Sequence, residues 1–149
     1  MLRKLRFLLL AGGLLALAAS TALAYSGRQT WDVHRINRVR SVHAVRRMLR
    51  LGAQMTRRAQ YWANHLARLN RGLADDISGA RVCWRAGGHQ YGANTAIAGG
   101  YSNNFTRDQY NLEHSPPHLA NMVNRGFRWV GIGIASSGQG LILVQDYCG

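Results

Sequence analysis

WVGIGIASSGQGLILVQDYC, residues 129–148, carries the clearest structural signal in the sequence. Val130, Ile132 and Ile134 alternate with two glycines, and a period of two is typical of a strand with one apolar face. The turn-forming residues SSGQG follow, and LILVQDY then continues as a second apolar stretch of strand length. The pattern predicts a C-terminal β-hairpin whose second strand ends at Cys148.

The segment before the hairpin carries the signals of two short helices. Ser115 is a favourable N-cap and Pro116 a favourable first helical residue, so we expect a helix from there to about Asn124. A shorter helix is predicted from Thr106 to Asn111.

Two glycine-bounded segments further upstream predict strands or extended segments. GARVCWRAGG at residues 79–88 and YGANTAIAGG at residues 91–100 are short and contain β-forming residues.

The N-terminal half has helical periodicity. One apolar series predicts a helix from Trp31 to about His43, and a second series predicts a helix that Gly72 stops. Helices followed by strands and a terminal hairpin predict an α+β layered fold. The two series are Val33, Ile36, Val39, Val42 and then Met55, Ala59, Trp62, Ala63, Leu66.

The first 24 of the 149 residues have the composition of a secretory signal peptide. MLRKLR is positively charged, FLLLAGGLLALAAS is apolar, and Ala22-Leu23-Ala24 is a small-residue cleavage site. We therefore expect residues 25–30 to form a polar N-terminal lead and residues 31–149 to form one domain. We also expect secretion to the extracellular space or periplasm, with no transmembrane segment; an uncleaved N-terminal anchor is the alternative. The sequon at Asn104 matters only in a host that glycosylates.

The chain is strongly basic. Its formal charge is +13, and removal of Arg3, Lys4 and Arg6 with the signal peptide lowers this to +10. Such a charge predicts attraction to anionic membranes, nucleic acid or acidic polymers, although a merely solvated basic surface has the same composition. We do not expect specific nucleic-acid recognition, because the sequence shows no reading helix or stacking platform.

The two cysteines, Cys83 and Cys148, are expected to form a disulfide bond. An exported protein with two cysteines pairs them more often than it leaves them free. Thiolates this far apart in sequence show no metal-ligand spacing.

No convincing catalytic set is present in the sequence. His114 and His118 have a spacing of four, but a metal site needs a third ligand. Ser115 is expected to use its hydroxyl as a helix cap, which makes it a poor nucleophile, and Asp75-Asp76 is typical of a turn. We therefore predict no enzymatic activity, no cofactor and no metal.

Five segments taken together resemble the CAP superfamily, which comprises cysteine-rich secretory proteins, antigen 5 and pathogenesis-related proteins. The segments are INRVRS, LGAQMTRRAQYWANHLA, VCWRAGGHQYGANTAIAGG, SPPHLANMVNRGFRWVGIGIA and LVQDYC. The resemblance covers about residues 30–149 and is strongest to short bacterial members. It implies a three-layer α-β-α sandwich and an extracellular location.

Many members of that family carry two histidines and two glutamates that can hold a divalent ion. By resemblance, His118 matches one histidine, whereas Ala93 stands where the glutamate of the family's G-E-N motif is usual. The first histidine falls near Asp75 or Asp76, and Glu113 lies near the fourth position. The resemblance therefore implies that His118 is the remnant of a site, and we expect its ring to hydrogen-bond Asn94 or a loop carbonyl.

The resemblance implies a secreted, non-catalytic module, and we expect a monomer. We predict that it binds a lipid or another amphiphile, in a cleft or on its basic surface. The predicted cleft residues are His118, Asn94, Ser115, Asp75 and Glu113. Two alternatives remain: a metal-dependent hydrolase, which the missing glutamate disfavours, and a cationic antimicrobial or polymer-binding protein.

Overall fold

The structure is a computed structural model that describes residues 25–70, 74–99 and 105–149. The predicted signal peptide, the predicted helix stop at Gly72 and the sequon residue Asn104 lie outside these ranges. None of the described helices is long and apolar enough to cross a membrane.

Five helices and four strands make up the described part of the chain. In chain order they are α1 (Gly27–Val42), β1 (Arg50–Leu51), α2 (Ala53–Leu69), α3 (Gly79–Arg85), β2 (Tyr91–Gly99), α4 (Phe105–Glu113), α5 (Pro116–Val123), β3 (Trp129–Ser137) and β4 (Gly140–Cys148). The strands form one sheet in the order β1-β3-β4-β2. Strand β1 is parallel to β3, and the other neighbours are antiparallel. The predicted C-terminal hairpin is confirmed as β3 and β4.

The sheet lies between two layers of helices. On one face, apolar residues of α1, α4 and α5 pack against Val130, Ile132, Leu141 and Leu143. On the other face, α2 packs against Ile142 and Val144, which point the opposite way along β4. The predicted α+β class and three-layer α-β-α sandwich are confirmed.

Two glycines allow α2 to lie directly on β3. A Cβ atom at Gly131 would overlap main-chain atoms of Met55, and one at Gly133 would overlap the main chain of Ala59. Main-chain atoms cannot move aside as a flexible side chain can. The alternation of glycine with valine and isoleucine thus produces one apolar face and one face flat enough for a helix.

The first helix begins earlier than predicted. Ser26 and Gln29 form a capping box: the Gln29 N–H donates to Ser26 Oγ at 3.2 Å, and the Ser26 N–H donates to Gln29 Oε1 at 2.9 Å. Most of the expected N-terminal lead is therefore the first turn of α1.

The prediction of a strand at GARVCWRAGG is wrong, because this segment contains the helix α3. Gly79 lies against the ring of Tyr91, and Gly88 lies against the sulfur atoms of Cys83 and Cys148. The glycines that suggested strand boundaries are thus needed for close packing around the helix. The strand predicted at YGANTAIAGG is confirmed as β2.

The disulfide between Cys83 and Cys148 is present and links α3 to the end of β4. Both cysteines are fully buried. The bond closes a loop with a sequence separation of 65 residues, so it restricts the unfolded chain substantially.

Candidate functional site

His118, Ser115 and Asn94 meet where α5 begins beside strand β2. The His118 ring Nδ1 lies 2.7 Å from Ser115 Oγ, and the His118 carbonyl accepts a hydrogen bond from Asn94 Nδ2 at 3.1 Å. Asn121 Nδ2 donates to Asn94 Oδ1 at 2.9 Å and holds that amide from the other side. The expected partnership of the His118 ring with Asn94 is wrong, because Asn94 contacts the main chain and the ring contacts Ser115.

Ser115 takes the N-cap position without capping the helix through its side chain. Its backbone is extended, as an N-cap requires, but its hydroxyl makes no bond to a helix N–H. Pro116 and Pro117 have no N–H to donate, and the hydroxyl lies instead against the ring of His118. The prediction that the Ser115 hydroxyl caps the helix is therefore wrong.

Glu113 lies in a groove between α1 and α4. Arg35 donates to both of its carboxylate oxygens, at 2.7 Å from Nε and 2.6 Å from Nη2. Gln109 Nε2 also donates to Glu113 at 2.9 Å. These bonds occupy the carboxylate, and no hydrogen bond among the described residues joins it to His118.

Asp75 lies on the α2 side of the sheet. Thr95 Oγ1 donates to Asp75 at 3.2 Å, and Thr95 pairs with Val144, which packs against α2. Ala93 precedes Thr95 by two residues on the same strand, so both side chains leave the same face. The five predicted cleft residues are therefore divided: three meet beside β2, while Glu113 and Asp75 lie apart.

The described residues do not fit the divalent ion that many CAP proteins can hold. Ala93 offers no carboxylate, and the His118 Nδ1 atom is paired with Ser115. In residues 25–70, 74–99 and 105–149, no three His, Cys, Asp or Glu side chains come together as a ligand set.

A buried network of hydrogen bonds connects Asn94 to Glu113 through the core. Gln145 Oε1 accepts from Asn94 at 3.2 Å, and Gln145 Nε2 donates to Gln109 Oε1 at 2.7 Å and to Asp32 Oδ2 at 2.8 Å. Gln109 then donates to Glu113. We call these five residues the central polar network. Because buried amides in such a chain have few alternative partners, the network fixes the position of Glu113 and thereby that of its partner Arg35.

Three buried carboxyl groups have raised pKa values. The pKa of Asp32 rises to about 7, mainly through burial; the hydrogen bond from Gln145 opposes the shift, and the nearby Glu113 and Asp108 contribute to it. Burial also raises the pKa of Asp108 to about 7. The pKa of Asp146 rises to about 8, again mainly through burial, although its bond from Tyr91 opposes the shift. At least one oxygen of each aspartate has no hydrogen-bond partner in the described part of the chain.

The groove between α1 and the adjoining α4 and α5 segments combines apolar and basic side chains. Its cavity has a volume of about 260 Å³, and we call it the helix groove. A second cavity of about 450 Å³ adjoins it and shares Arg35. The helix groove is lined by Arg35, Arg38, Val39, Val42, His43, Glu113, His114 and Leu119.

The central polar network was not predicted from the sequence, although β4 contains a signal for it. Gln145 and Asp146 are polar residues in the middle of a buried strand, where apolar residues are usual. Adjacent residues of a strand face opposite ways, so Gln145 enters the α1 side and Asp146 the α2 side. The signal would have identified the two positions but not their partners.

A comparison with models of protein families matches most of the chain. The profile described as "CAP: Cysteine-rich secretory protein family" matches residues 33–147. A comparison with curated proteins finds no significant match.

Solved structures with the same fold include bacterial and animal proteins. An extracellular protein containing an SCP domain from Bacillus anthracis is 18% identical with a TM-score of 0.66. The match covers 82% of this chain and 40% of the Bacillus anthracis chain. This chain thus spans less than half of that protein. Venom allergen-like protein 4 of Schistosoma mansoni is 12% identical with a TM-score of 0.64, covering 83% and 89% respectively. An outer surface protein of Borrelia burgdorferi is 16% identical with a TM-score of 0.59, covering 80% and 90%. At these identities the likeness concerns the fold alone.

Proposed function

The chain belongs to the cysteine-rich secretory protein (CAP) family, and from this premise we propose that it is an exported, non-catalytic module that binds a lipid or another amphiphile. The helix groove carries this proposal. It places aliphatic side chains and basic groups in one cavity, which is the arrangement that an amphiphile with an anionic headgroup requires.

The apolar part of the groove suits an aliphatic chain. Val39 and Leu119 are half-buried, and Val42 is 78% exposed at the edge of the cavity. A ligand chain that covered Val42 would remove its apolar surface from water, which is favourable at roughly 25 cal/mol per Å². The groove therefore has apolar surface that the folded chain itself leaves uncovered.

The basic side chains of the groove suit an anionic headgroup. Arg38 and His43 are exposed at the groove, while Arg35 is held by Glu113. The central polar network keeps that ion pair in place from beneath. A headgroup would meet Arg35 in a fixed position, which reduces the entropy lost on binding.

The absence of a complete ligand set supports a non-catalytic role. Ala93 replaces a carboxylate, and Glu113 and Asp75 are bonded to partners other than His118. Ser115 and His118 do form a hydrogen-bonded pair, but no carboxylate in the described residues bonds to the histidine ring to orient it as a base.

The composition of residues 1–24 and the structural relatives support export. The Bacillus anthracis relative is described as extracellular and the Borrelia burgdorferi relative as an outer surface protein. We place this chain in the same class, in the extracellular space or periplasm, and as a monomer.

Co-sedimentation with vesicles tests the proposal. The purified protein is mixed with neutral, anionic and sterol-containing vesicles at low and at high salt. Binding that persists at high salt supports an apolar site, because salt screens charge but does not weaken apolar burial. If binding occurs only with anionic vesicles and disappears at high salt, the helix groove is not the binding site.

The surface charge favours a second candidate function, a cationic polymer-binding or antimicrobial protein. Asp32, Asp76, Asp108 and Asp146 are fully buried, and Asp75 is exposed. The surface is therefore more basic than the composition alone indicates. Binding to an acidic polymer that falls steeply as salt rises would support this function.

A further inference from the structure

The loop after α1 and the start of β3 enclose a cavity lined by three arginines. Its volume is about 540 Å³, and it lies apart from the helix groove. We call it the arginine concavity. It is lined by Arg47, Met48, Arg50, Arg128 and Trp129.

Among the described residues, none of the three guanidinium groups has a carboxylate partner. In the described ranges the ion pairs are Arg35–Glu113 and Arg58–Asp76, and neither involves a residue of the concavity. All three arginines are exposed. Their positive charges are thus available to a ligand.

The backbone that carries these arginines is held in place by α1. Arg40 is buried, and its Nε donates to the Arg47 carbonyl at 3.0 Å. Asn37 makes two bonds to the main chain of Leu49, at 3.0 Å and 2.7 Å. The Arg50 N–H donates to the Arg128 carbonyl at 3.1 Å, so the loop is fixed against β3.

Apolar surface adjoins the arginines. Met48 is 42% exposed, and Trp129 also lines a second cavity of about 160 Å³. That cavity is mainly apolar and includes Met55 and the buried Cys148. Trp129 therefore lines both a cationic cavity and an apolar one.

We propose that the arginine concavity binds the phosphate headgroup of an anionic membrane phospholipid. Guanidinium groups form paired hydrogen bonds to phosphate oxygens, and three such groups suit a phosphodiester at a charged surface. Met48 and Trp129 contact the glycerol and the first acyl carbons. The adjoining apolar surface favours a lipid over a sulfated polysaccharide or a nucleic acid, because a polyanion has no aliphatic part to place there. The inference rests on the proposed amphiphile-binding function and adds a second surface and a headgroup class to it.

The test compares two variants with the same loss of charge. The first carries Arg47→Gln, Arg50→Gln and Arg128→Gln. The control carries Arg57→Gln, Arg68→Gln and Arg81→Gln, which are exposed arginines of α2 and α3 outside the concavity. Binding to vesicles of phosphatidylglycerol in phosphatidylcholine is measured for both variants and for the unmodified protein.

We expect the concavity variant to lose about a hundredfold in affinity, because each contacting arginine contributes about fivefold. The control is expected to lose about threefold or less. Adding Met48→Ser to the concavity variant should weaken its binding to these vesicles further. The additional loss should be visible at high salt, where contacts between charges are screened. Equal losses in the two triple variants would overturn the proposal, because the net charge alone would then explain binding. Binding of a polysulfate at the concavity, together with no binding to vesicles, would also overturn the proposal. The ligand would then be an anionic polymer.

A fluorescent fatty acid separates this inference from the proposed function. We expect its binding in the helix groove to be unchanged in the concavity variant, while binding to phosphatidylglycerol is lost. A failure of the unmodified protein to bind the fatty acid would count against the helix groove as a lipid site, whereas the vesicle comparison still decides the role of the arginines.

Discussion

At Gly133 the fold depends on the absence of a single methyl group. The main chain of Ala59 in α2 occupies the space that a Cβ atom would need, and Gly131 has the same relation to Met55. A helix and a strand that meet through main-chain atoms cannot adjust to a larger residue by changing a rotamer. The strand must therefore keep glycine at these two positions for the layers to remain in contact.

We expect Gly133→Ala to lower the free energy of unfolding by about 3 kcal/mol or more, because the added methyl forces α2 away from the sheet. Urea denaturation followed by circular dichroism measures this change. Gly138→Ala is the matched control: it lies in the hairpin turn, has room for a Cβ atom and does not have a positive φ. Its effect should be within about 0.5 kcal/mol. Similar losses at both positions would contradict the packing argument.

At the scale of the elements, the longer periodic segments could be predicted from the sequence and the shorter ones could not. The alternation in β3 and the helical spacing in α2 each extend over several residues, so the type of each element could be predicted. The structure confirms both predictions. Helix α3 has seven residues, too few to show a period, and the adjacent Gly79 and Gly88 suggested a strand.

Proximity in sequence accounts for only part of the candidate site, because Asn94 meets His118 across a separation of 24 residues. Ser115 and His118 are three apart and meet within one helical turn. Asp32 and Gln145 are separated by 113 residues, and only the folded sheet brings them together. Glu113 and Asp75 were predicted to share a cleft, but α4 and α2 pack on opposite faces of the sheet. The number of residues between a side chain and a motif does not show on which face of the sheet that side chain lies.

The helix groove can be tested by filling it. We expect Leu119→Trp to lower the affinity for a fluorescent fatty acid by at least about tenfold, because the larger side chain takes up space in a cavity of about 260 Å³. Leu69→Trp is the control, since Leu69 is exposed at the end of α2 and does not line the groove. Unchanged binding in a folded Leu119→Trp variant would exclude the groove as the lipid site.

The disulfide between α3 and β4 should account for much of the stability of that end of the sandwich. We expect Cys83→Ser with Cys148→Ser to lower the free energy of unfolding by about 4 kcal/mol, because the cross-link closes a long loop in the unfolded chain. Guanidinium denaturation gives the value. A reducing agent should destabilise the unmodified protein and leave the double variant unchanged; the same response in both proteins would contradict a role for this bond.

At the scale of the whole molecule, the acidic and basic residues are separated between interior and surface. Asp32, Asp76, Asp108 and Asp146 are fully buried, and Glu113 has a side chain that is only 8% exposed. Most arginines are exposed. The outer surface is consequently almost uniformly cationic, which favours anionic partners and opposes self-association. The same separation places several carboxyl groups where their ionised form is poorly solvated.

These buried acids should make the protein more stable in mild acid than in mild base. The pKa values of Asp32 and Asp108 rise from 3.8 to about 7, and that of Asp146 rises to about 8. Between about pH 4 and pH 8 the folded protein thus retains protons that the unfolded chain has released. The free energy of unfolding falls as pH rises through this window and levels off above it. We expect a higher Tm at about pH 5 than at about pH 9 in calorimetry.

Asp32→Asn identifies one source of that pH dependence. An asparagine side chain has the shape of the neutral acid and can still accept the hydrogen bond from Gln145, but it does not ionise. The variant should therefore match the unmodified protein near pH 5 and exceed it in Tm near pH 9. A Tm that rises with pH in the unmodified protein would show that Asp32, Asp108 and Asp146 are stabilised as carboxylates. An Asp32→Asn variant that is no more stable than the unmodified protein near pH 9 would contradict the assignment of this pH dependence to Asp32.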